Sequence, residues 1–272
     1  MDLLQFLYHT PAGRMILRPL CSRTVSKACG KLLDCRASCL LISPFVRKNK
    51  IDVSQFETDR VQSFNDFFCR KIRPDLRPVD LDPSHLIAPC DGLLSVYPIR
   101  DGLVLPVKQS VFSMKRLLRD GKLSRRFEGG YCFVFRLCVN HYHRYCYAES
   151  GKKSRNRFLP GVLHTVRPVA LEEYPVFTEN CREYTLIRTE RFGTLAQMEV
   201  GAMLVGRICN HQTEPAEVLR GREKGCFQYG GSTIILLVQA EKIKAPEKYL
   251  KATAAGEETP VQLGQAIGEA AG

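Results

Sequence analysis

The sequence lacks an apolar run long enough to cross a bilayer. The longest is the seven-residue STIILLV at Ser232–Val238, whereas a membrane-spanning helix needs about 20 residues. No 20–50-residue repeat and no low-complexity tract occurs either, which excludes solenoid and disordered classes. We therefore expect a globular chain that lies on a membrane at most and does not cross it.

A cysteine framework is also missing, although the chain has twelve cysteines. No C-x-x-C pair is present, and the nearest pair is Cys35 and Cys39. Several cysteines lie in apolar runs, where the residue behaves as a small hydrophobe. Since no signal peptide is recognisable, unpaired cysteines indicate a reducing cytosol and disfavour structural zinc.

Positive charge is concentrated near the start of the chain. The formal net charge is +12, and residues 1–50 carry nine Lys/Arg against two Asp, so 9 − 2 = +7 lies there. Such a patch favours an anionic partner, either nucleic acid or an acidic membrane surface. It is equally compatible with a solvated helix face.

The first 40 residues have a helical pattern. Leu3, Phe6 and Leu7 repeat at i, i+3, i+4. Leu20 stands four residues after Ile16 and three after Leu17, and basic residues lie between the apolar positions. The pattern is typical of an amphipathic interfacial helix, and also of any helix packed on a domain.

A second helix is predicted in the segment FNDFFCRKIRPDLRPVD. Ser63 stands at its N-cap, and Pro74 is expected to end it.

From about Leu86 the pattern changes to short β-rich runs separated by Gly and Pro. A hairpin is predicted to turn near residues 191–193, and a short helix near 113–118. The expected fold is α+β: a basic helical N-terminal region, residues 1–60, followed by a mostly antiparallel, barrel-like β domain, residues 61–272. The predicted strands lie in LLSVY, GLVLPV, GYCFVFRLCV, GVLHTV, YTLIRT, GTLAQMEVGAMLV and STIILLV.

Four polar residues stand at predicted strand ends, namely Asp91, His143, His164 and Ser232. Taken alone, each of these residues is weak evidence for a catalytic site. A DG pair is usually a turn, and GGST commonly forms a tight turn that leads into a strand.

In order and spacing these segments resemble the phosphatidylserine decarboxylases, over almost the whole chain. The matching segments are FNDFFCRKIRPDLRPVD, LIAPCDGLLSVY, FRLCVNHYHRYC, GVLHTVRP, VGAMLVGRI, KGCFQYGGSTIILL and ETPVQLGQAIG.

The resemblance implies a proenzyme that cuts itself between Gly231 and Ser232 into a large β chain and a small α chain. Ser232 Oγ would attack the Gly231 carbonyl, and elimination would leave a pyruvoyl group at position 232. His143 would be the general base, with Asp91 orienting it in the manner of a Ser/His/Asp triad. The Gly230–Gly231 pair would permit close approach to the backbone.

The same resemblance implies the decarboxylation chemistry. The pyruvoyl ketone derived from Ser232 would form a Schiff base with the substrate amine and accept the electrons released when CO₂ leaves. No metal and no separately bound organic cofactor is implied.

Two departures from the family pattern concern the site. Cys146 stands where many members have a second histidine, which leaves open whether His143 serves both steps or His164 assists. Arg167 stands where Asn is usual. For Cys146 itself, the residues suggest a small buried side chain.

The expected substrate is phosphatidylserine, converted to phosphatidylethanolamine by a peripheral protein on the cytoplasmic side of the cell membrane. Expected partners are the anionic membrane surface, the two cleaved chains as a heterodimer, and a second copy of the chain as a possible homo-oligomer. A soluble amino acid is an alternative substrate. A serine hydrolase is disfavoured because Ser232 lacks G-x-S-x-G. A nucleic-acid-binding β protein is disfavoured because the positive excess is concentrated in the helical N-terminal region.

Overall fold

A computed structural model describes residues 3–104, 106, 110–203, 207–230 and 232–272. Short 3₁₀ helices lie at Arg36–Leu41, Val53–Gln55, Pro74–Leu76 and Arg125–Phe127. The α-helices are α1 (Leu3–His9), α2 (Pro11–Leu20), α3 (Arg23–Leu33), α4 (Ile42–Asn49), α5 (Phe64–Phe68), α6 (Met114–Leu118), α7 (Gly121–Ser124), α8 (Pro168–Leu171), α9 (Val176–Glu179) and α10 (Glu247–Ala254). Among the described residues, no helix is long and apolar enough to span a bilayer.

The N-terminal helices form where the amphipathic pattern predicts them. The side chains of Thr10 and Ser22 cap α2 and α3 by accepting from backbone N–H groups three residues on. Leu7, Tyr8 and Leu17 are buried in the same hydrophobic cluster as the large sheet. The boundary between a 1–60 region and a 61–272 domain stays a prediction.

The strands are short and pair antiparallel. They are β1 (Phe56–Glu57), β2 (Lys71–Ile72), β3 (His85–Ile87), β4 (Gly92–Pro98), β5 (Leu103–Val104), β6 (Phe112–Ser113), β7 (Tyr131–Leu137), β8 (Arg144–Cys146), β9 (Gly151–Lys153), β10 (Arg157–Leu159), β11 (Arg182–Arg188), β12 (Thr194–Val200), β13 (Ile208–Asn210), β14 (Ala216–Val218), β15 (Glu223–Phe227), β16 (Ser232–Val238), β17 (Ile243–Lys244), β18 (Thr259–Val261) and β19 (Ala266–Ala270).

One large sheet organises the molecule. In the described part of the chain its order is β14-β9-β11-β12-β16-β7-β4-β18, with β10 beside β11. The predicted hairpin is β11–β12, and all seven residues of β16 are buried between β12 and β7. The α+β class is confirmed, and a continuous apolar run forms a central strand because both faces of it are covered.

Two sequence predictions were wrong in detail. Helix α5 ends at Phe68 rather than near Pro74, because Lys71–Ile72 leaves the helix to pair with Phe56–Glu57. The run GVLHTV forms no ladder beyond one bridge from Val162 to Asn180. The predicted runs GLVLPV and GTLAQMEVGAMLV end in residues outside the described ranges.

Candidate active site

Three strand ends meet at one edge of the large sheet. Asp91 immediately precedes β4, Ser232 begins β16, and the chain leaves β7 towards His143. Leu93 pairs with Arg136 and Ser232 with Leu137, so β4 and β16 flank the same end of β7. The fold therefore brings the three predicted residues to one region, from positions up to 141 residues apart.

Ser232 and His143 are in direct contact. Ser232 Oγ lies 3.5 Å from His143 Nδ1, at the outer limit of a hydrogen bond. His143 Nε2 lies 3.0 Å from the Cys138 carbonyl oxygen. A carbonyl only accepts, so Nε2 carries the proton and Nδ1 is left to accept one from the Ser232 hydroxyl.

The surroundings of His143 keep its imidazole neutral. Both His143 and Ser232 are fully buried, and the Phe68 ring packs 4.1 Å from the imidazole, centroid to centroid. Burial lowers the pKa of His143 well below the usual 6.5, and the nearby positive charge of Arg70 lowers it further. A neutral imidazole is the form that a general base requires.

Asp91 has different partners from the one predicted for it. Its carboxylate accepts two bonds from the Arg77 guanidinium, at 2.8 and 2.6 Å, and a third from the Leu263 amide at 2.9 Å. The acceptor of the His143 Nε2–H is a backbone carbonyl instead. The orienting role of Asp91 stays a prediction, and the observed contacts make it an anchor between Arg77 and the C-terminal tail.

We expect Asp91→Asn to destabilise the fold. Both side chains of the Arg77–Asp91 pair are about one-tenth exposed (11% and 10%), and removing one partner of a buried pair costs about 3 kcal/mol. The free energy of unfolding should be measured by denaturant titration in a Ser232→Ala background, so that the cleavage implied by the resemblance does not intervene. The control is Glu214→Gln, which breaks the exposed Arg155–Glu214 pair and should change the free energy of unfolding by about 0.5 kcal/mol at most. Equal effects of the two substitutions would contradict the anchoring role of Asp91.

His164 belongs to a separate group of side chains. Its Nδ1 lies 3.3 Å from Tyr8 Oη and 3.5 Å from Cys21 Sγ, and its ring stacks on Tyr174. His143 and Ser232 are not among its described partners. The auxiliary role suggested for His164 stays a prediction.

Cys146 is a buried thiol. The side chain is 1% exposed, and burial raises its pKa to about 12, so the sulfur is protonated at neutral pH. A protonated thiol is a poor proton acceptor. The position at which the family resemblance implies a second histidine therefore offers no base in this chain.

Replacing Cys146 by Ala should leave the self-cleavage that the resemblance implies close to its native rate. Only a small buried group is lost, at a cost of about 1–2 kcal/mol of stability. The measurement is the time course of chain cleavage on a denaturing gel, with Cys132→Ala as the matched variant, since Cys132 is equally buried on β7. A hundredfold slowing confined to Cys146→Ala would show that the thiol takes part.

Sequence reasoning missed four groups that contact the predicted residues or act on them electrostatically. The Cys138 carbonyl gives no signal because any residue supplies one, and the Phe68 and Arg70 contacts depend on how α5 packs. Arg77 was visible in RPDLRPVD, although nothing there ties it to Asp91.

The backbone two residues before Ser232 has an unusual conformation. Gly230 has φ = +124°, a conformation that favours glycine. The Tyr229 amide is held by Asn65 Oδ1 at 3.3 Å. Gly231, predicted to supply the attacked carbonyl, lies outside the described residues. Arg167, the second departure from the family pattern, sits at the N-cap of α8 without a side-chain capping bond.

At this edge of the sheet a buried serine, which follows two glycines in the sequence, faces a neutral histidine. Residues 64–269 match the family model for phosphatidylserine decarboxylase. The chain belongs to the phosphatidylserine decarboxylase family.

Several relatives match over nearly their whole length. The chain is 43% identical over 267 residues to phosphatidylserine decarboxylase proenzyme 2 of Clostridium acetobutylicum, covering 98% of this chain and 91% of that protein. It is 37% identical over 271 residues to a phosphatidylserine decarboxylase proenzyme of Ruminiclostridium cellulolyticum, covering 98% and 90%. A proenzyme of the same name from Clostridium botulinum is 34% identical over 270 residues, covering 97% and 91%.

Proposed function

We propose that this chain cleaves itself before Ser232 and then decarboxylates phosphatidylserine to phosphatidylethanolamine and CO₂. The supporting observation is the buried Ser232 hydroxyl facing the acceptor nitrogen of a neutral His143. Membership of the family and the proenzyme names of the relatives support the same reaction.

The cleavage step uses groups of the chain alone. His143 Nδ1 accepts the Ser232 hydroxyl proton as Oγ bonds to the Gly231 carbonyl carbon. The C–N bond of that peptide then breaks, and the proton passes to the freed Ser232 nitrogen, so an ester replaces the amide. A base then removes the Ser232 α-proton, the Cβ–Oγ bond breaks, and the Gly231 carboxylate leaves. Water then hydrolyses the resulting enamine, with release of ammonia, and leaves a ketone at position 232.

The surroundings of Ser232 fit a pyruvoyl group. The residue starts a fully buried strand whose pairing with Leu137 fixes the backbone, and a cavity lined by Gly201 and Tyr229 lies beside it. When present, the group supplies an electron-accepting ketone for amine substrates. His143, Phe68 and the sheet would hold it in place and exclude water.

The two pieces are expected to stay together as a heterodimer. The small piece would be residues 232–272, which is 272 − 231 = 41 residues. Its first strand, β16, lies between β12 and β7, with every side chain buried. Removing β16 would open the middle of the sheet, so separation requires unfolding.

Docking on an anionic membrane is the second part of the proposal. The N-terminal helices expose large apolar side chains beside their basic ones: Leu40 is 82% exposed, Met15 77% and Leu32 69%. Apolar and basic residues together on one region are the features of a lipid-binding surface. That all twelve cysteines are free supports a site of action on the cytoplasmic face.

We expect Leu40→Glu/Leu41→Glu to weaken binding to phosphatidylserine vesicles by about tenfold or more, because two apolar contacts are lost and negative charge is added. Leu81→Glu/Leu219→Glu is the matched control, since those leucines are 81% and 63% exposed outside the N-terminal helices. Binding is measured by vesicle co-sedimentation at low and high salt. If both double variants weakened vesicle binding equally, or if salt had no effect on binding, the N-terminal helices would not be the membrane-docking surface.

The substrate is tested by assaying phosphatidylserine, free serine and free tryptophan side by side with carboxyl-labelled compounds. The proposal predicts labelled CO₂ from phosphatidylserine. Release from a free amino acid alone would instead favour the soluble-substrate alternative.

A further inference from the structure

A cavity of about 410 Å³ lies between helix α3 and the face of the large sheet that carries Ser232. Gln228 and Tyr229, from the segment that leads into Ser232, form part of its wall. Gly201 also lines it and directly follows Val200, the residue of β12 next to the Ser232 end of β16. One side of the cavity is therefore adjacent to the proposed reaction centre.

The helix side of the cavity is basic. Arg23, Lys27 and Lys31 are spaced four residues apart on α3, so they share one helix face, and all three line the cavity. Arg207 adds a fourth cation. Within the described residues these four side chains form no ion pair.

The carboxylates that line the same cavity are already engaged. Asp34 Oδ1 accepts from Asn65 Nδ2 at 2.8 Å. Glu183 Oε1 accepts from the amide groups of Asn156 and Asn210, at 2.6 and 2.9 Å. Four cations against two carboxylates leave an excess of two positive charges around the cavity.

Ser26 supplies a second, independent indication of a ligand. It lies on the same face of α3, it is 0% exposed, and its hydroxyl has no hydrogen-bond partner in the described part of the chain. A buried hydroxyl is normally bonded, and leaving one unpaired costs free energy. Gly30, one turn further on, presents only open space to the cavity, because a Cβ there would meet nothing within 4 Å.

The helix and the cleavage segment are connected through one side chain. Asn65 donates to the Gly30 carbonyl at 3.2 Å and accepts from the Tyr229 amide at 3.3 Å. Tyr229 is three residues from Ser232. A ligand held on α3 is thereby kept at a fixed place relative to position 232.

We propose that this cavity binds the phosphodiester of the lipid headgroup, with Ser26 donating to it inside and Lys27 and Lys31 pairing with it at the mouth. The inference rests on the proposed function, since it assigns a subsite for the same substrate. A phosphodiester has the acceptor oxygens and the negative charge that this hydroxyl and these ammonium groups require. The amine of the same headgroup would then lie toward position 232, and a free amino acid would lack the group that the subsite recognises.

The test uses Lys27→Gln/Lys31→Gln and, separately, Ser26→Ala, in the full self-cleaved protein. The substrate is dihexanoyl phosphatidylserine below its micellar concentration, so that membrane docking does not contribute. We expect KM to rise at least tenfold for the double variant, because two charge-assisted contacts are lost. The values of kcat and the extent of self-cleavage should stay native, and glycerol 3-phosphate should inhibit the native protein competitively but not the double variant.

Lys244→Gln/Lys248→Gln removes the same charge from an exposed site elsewhere and should leave KM unchanged. A KM for the α3 variants equal to that of this control would overturn the subsite. Completed self-cleavage reports that each variant is folded; should the double variant fail to cleave, the exposed single substitution Lys27→Gln replaces it. A native protein that cleaves itself but releases no CO₂ from phosphatidylserine would instead refute the proposed function.

Discussion

Replacing Ser232 by Ala should leave the polypeptide as one uncut chain of 30.8 kDa with no decarboxylase activity. The substitution removes the hydroxyl that is proposed to attack the preceding carbonyl. Without the ester that this attack forms, the elimination proposed to generate the ketone does not occur. Both losses should be complete rather than partial, because no cleaved product means no cofactor. Cleavage is followed by intact mass, and decarboxylation by release of labelled CO₂.

Ser95→Ala is the matched control for that variant. Ser95 is also a buried serine in the large sheet, on β4, and its loss should leave both processing and activity in place. Cleavage of the Ser232→Ala chain between residues 231 and 232 would contradict the assigned nucleophile.

Replacing His143 by Gln should slow self-cleavage by about 10²- to 10⁴-fold, the usual contribution of a general base. Glutamine keeps polar atoms in the space beside Phe68 without a nitrogen that accepts a proton at neutral pH. The rate is obtained from the decay of the uncut band after synthesis. His211→Gln changes an exposed histidine that is bonded to Glu223, and this variant should cleave at the native rate. Similar rates for the two variants would exclude His143 as the base.

The depressed pKa of His143 also predicts the pH dependence of cleavage. A histidine is active as a base only while it is unprotonated, and here burial moves protonation below pH 6.5. The rate should therefore stay on its plateau as pH falls through 6.5 and decline only in more acidic solution. The free energy of unfolding should change with pH in the same direction. Because the pKa of His143 is lower in the folded state than in the unfolded state, its contribution to stability is present above the unfolded-state pKa and is lost as pH falls through the folded-state pKa.

Local patterns in the sequence predicted much of the architecture. The amphipathic spacing at the start of the chain, the N-cap at Ser63 and the apolar run at 232–238 each gave the observed element, because each depends on neighbours in sequence. GVLHTV was misassigned for the opposite reason. Its backbone bonds to distant groups, the Cys21 carbonyl and the Asn180 side chain, which no local pattern encodes.

The residues of the candidate site could be predicted from the sequence, but their hydrogen-bond partners could not. Family motifs indicated Asp91, His143 and Ser232, and the fold places all three at one end of the sheet. The hydrogen-bond partners of these residues could not be predicted from the sequence. The His143 Nε2–H donates to a backbone carbonyl, and the Asp91 carboxylate accepts from Arg77. The unpartnered hydroxyl of Ser26 likewise becomes visible only once α3 is packed on the sheet.

The most direct test of the account is the intact mass of freshly purified native protein under denaturing conditions, together with its activity. We expect two pieces, residues 1–231 and 232–272, that co-elute when native. The smaller piece should be blocked at its first residue and react with carbonyl reagents. An active preparation whose polypeptide is still whole would contradict this expectation.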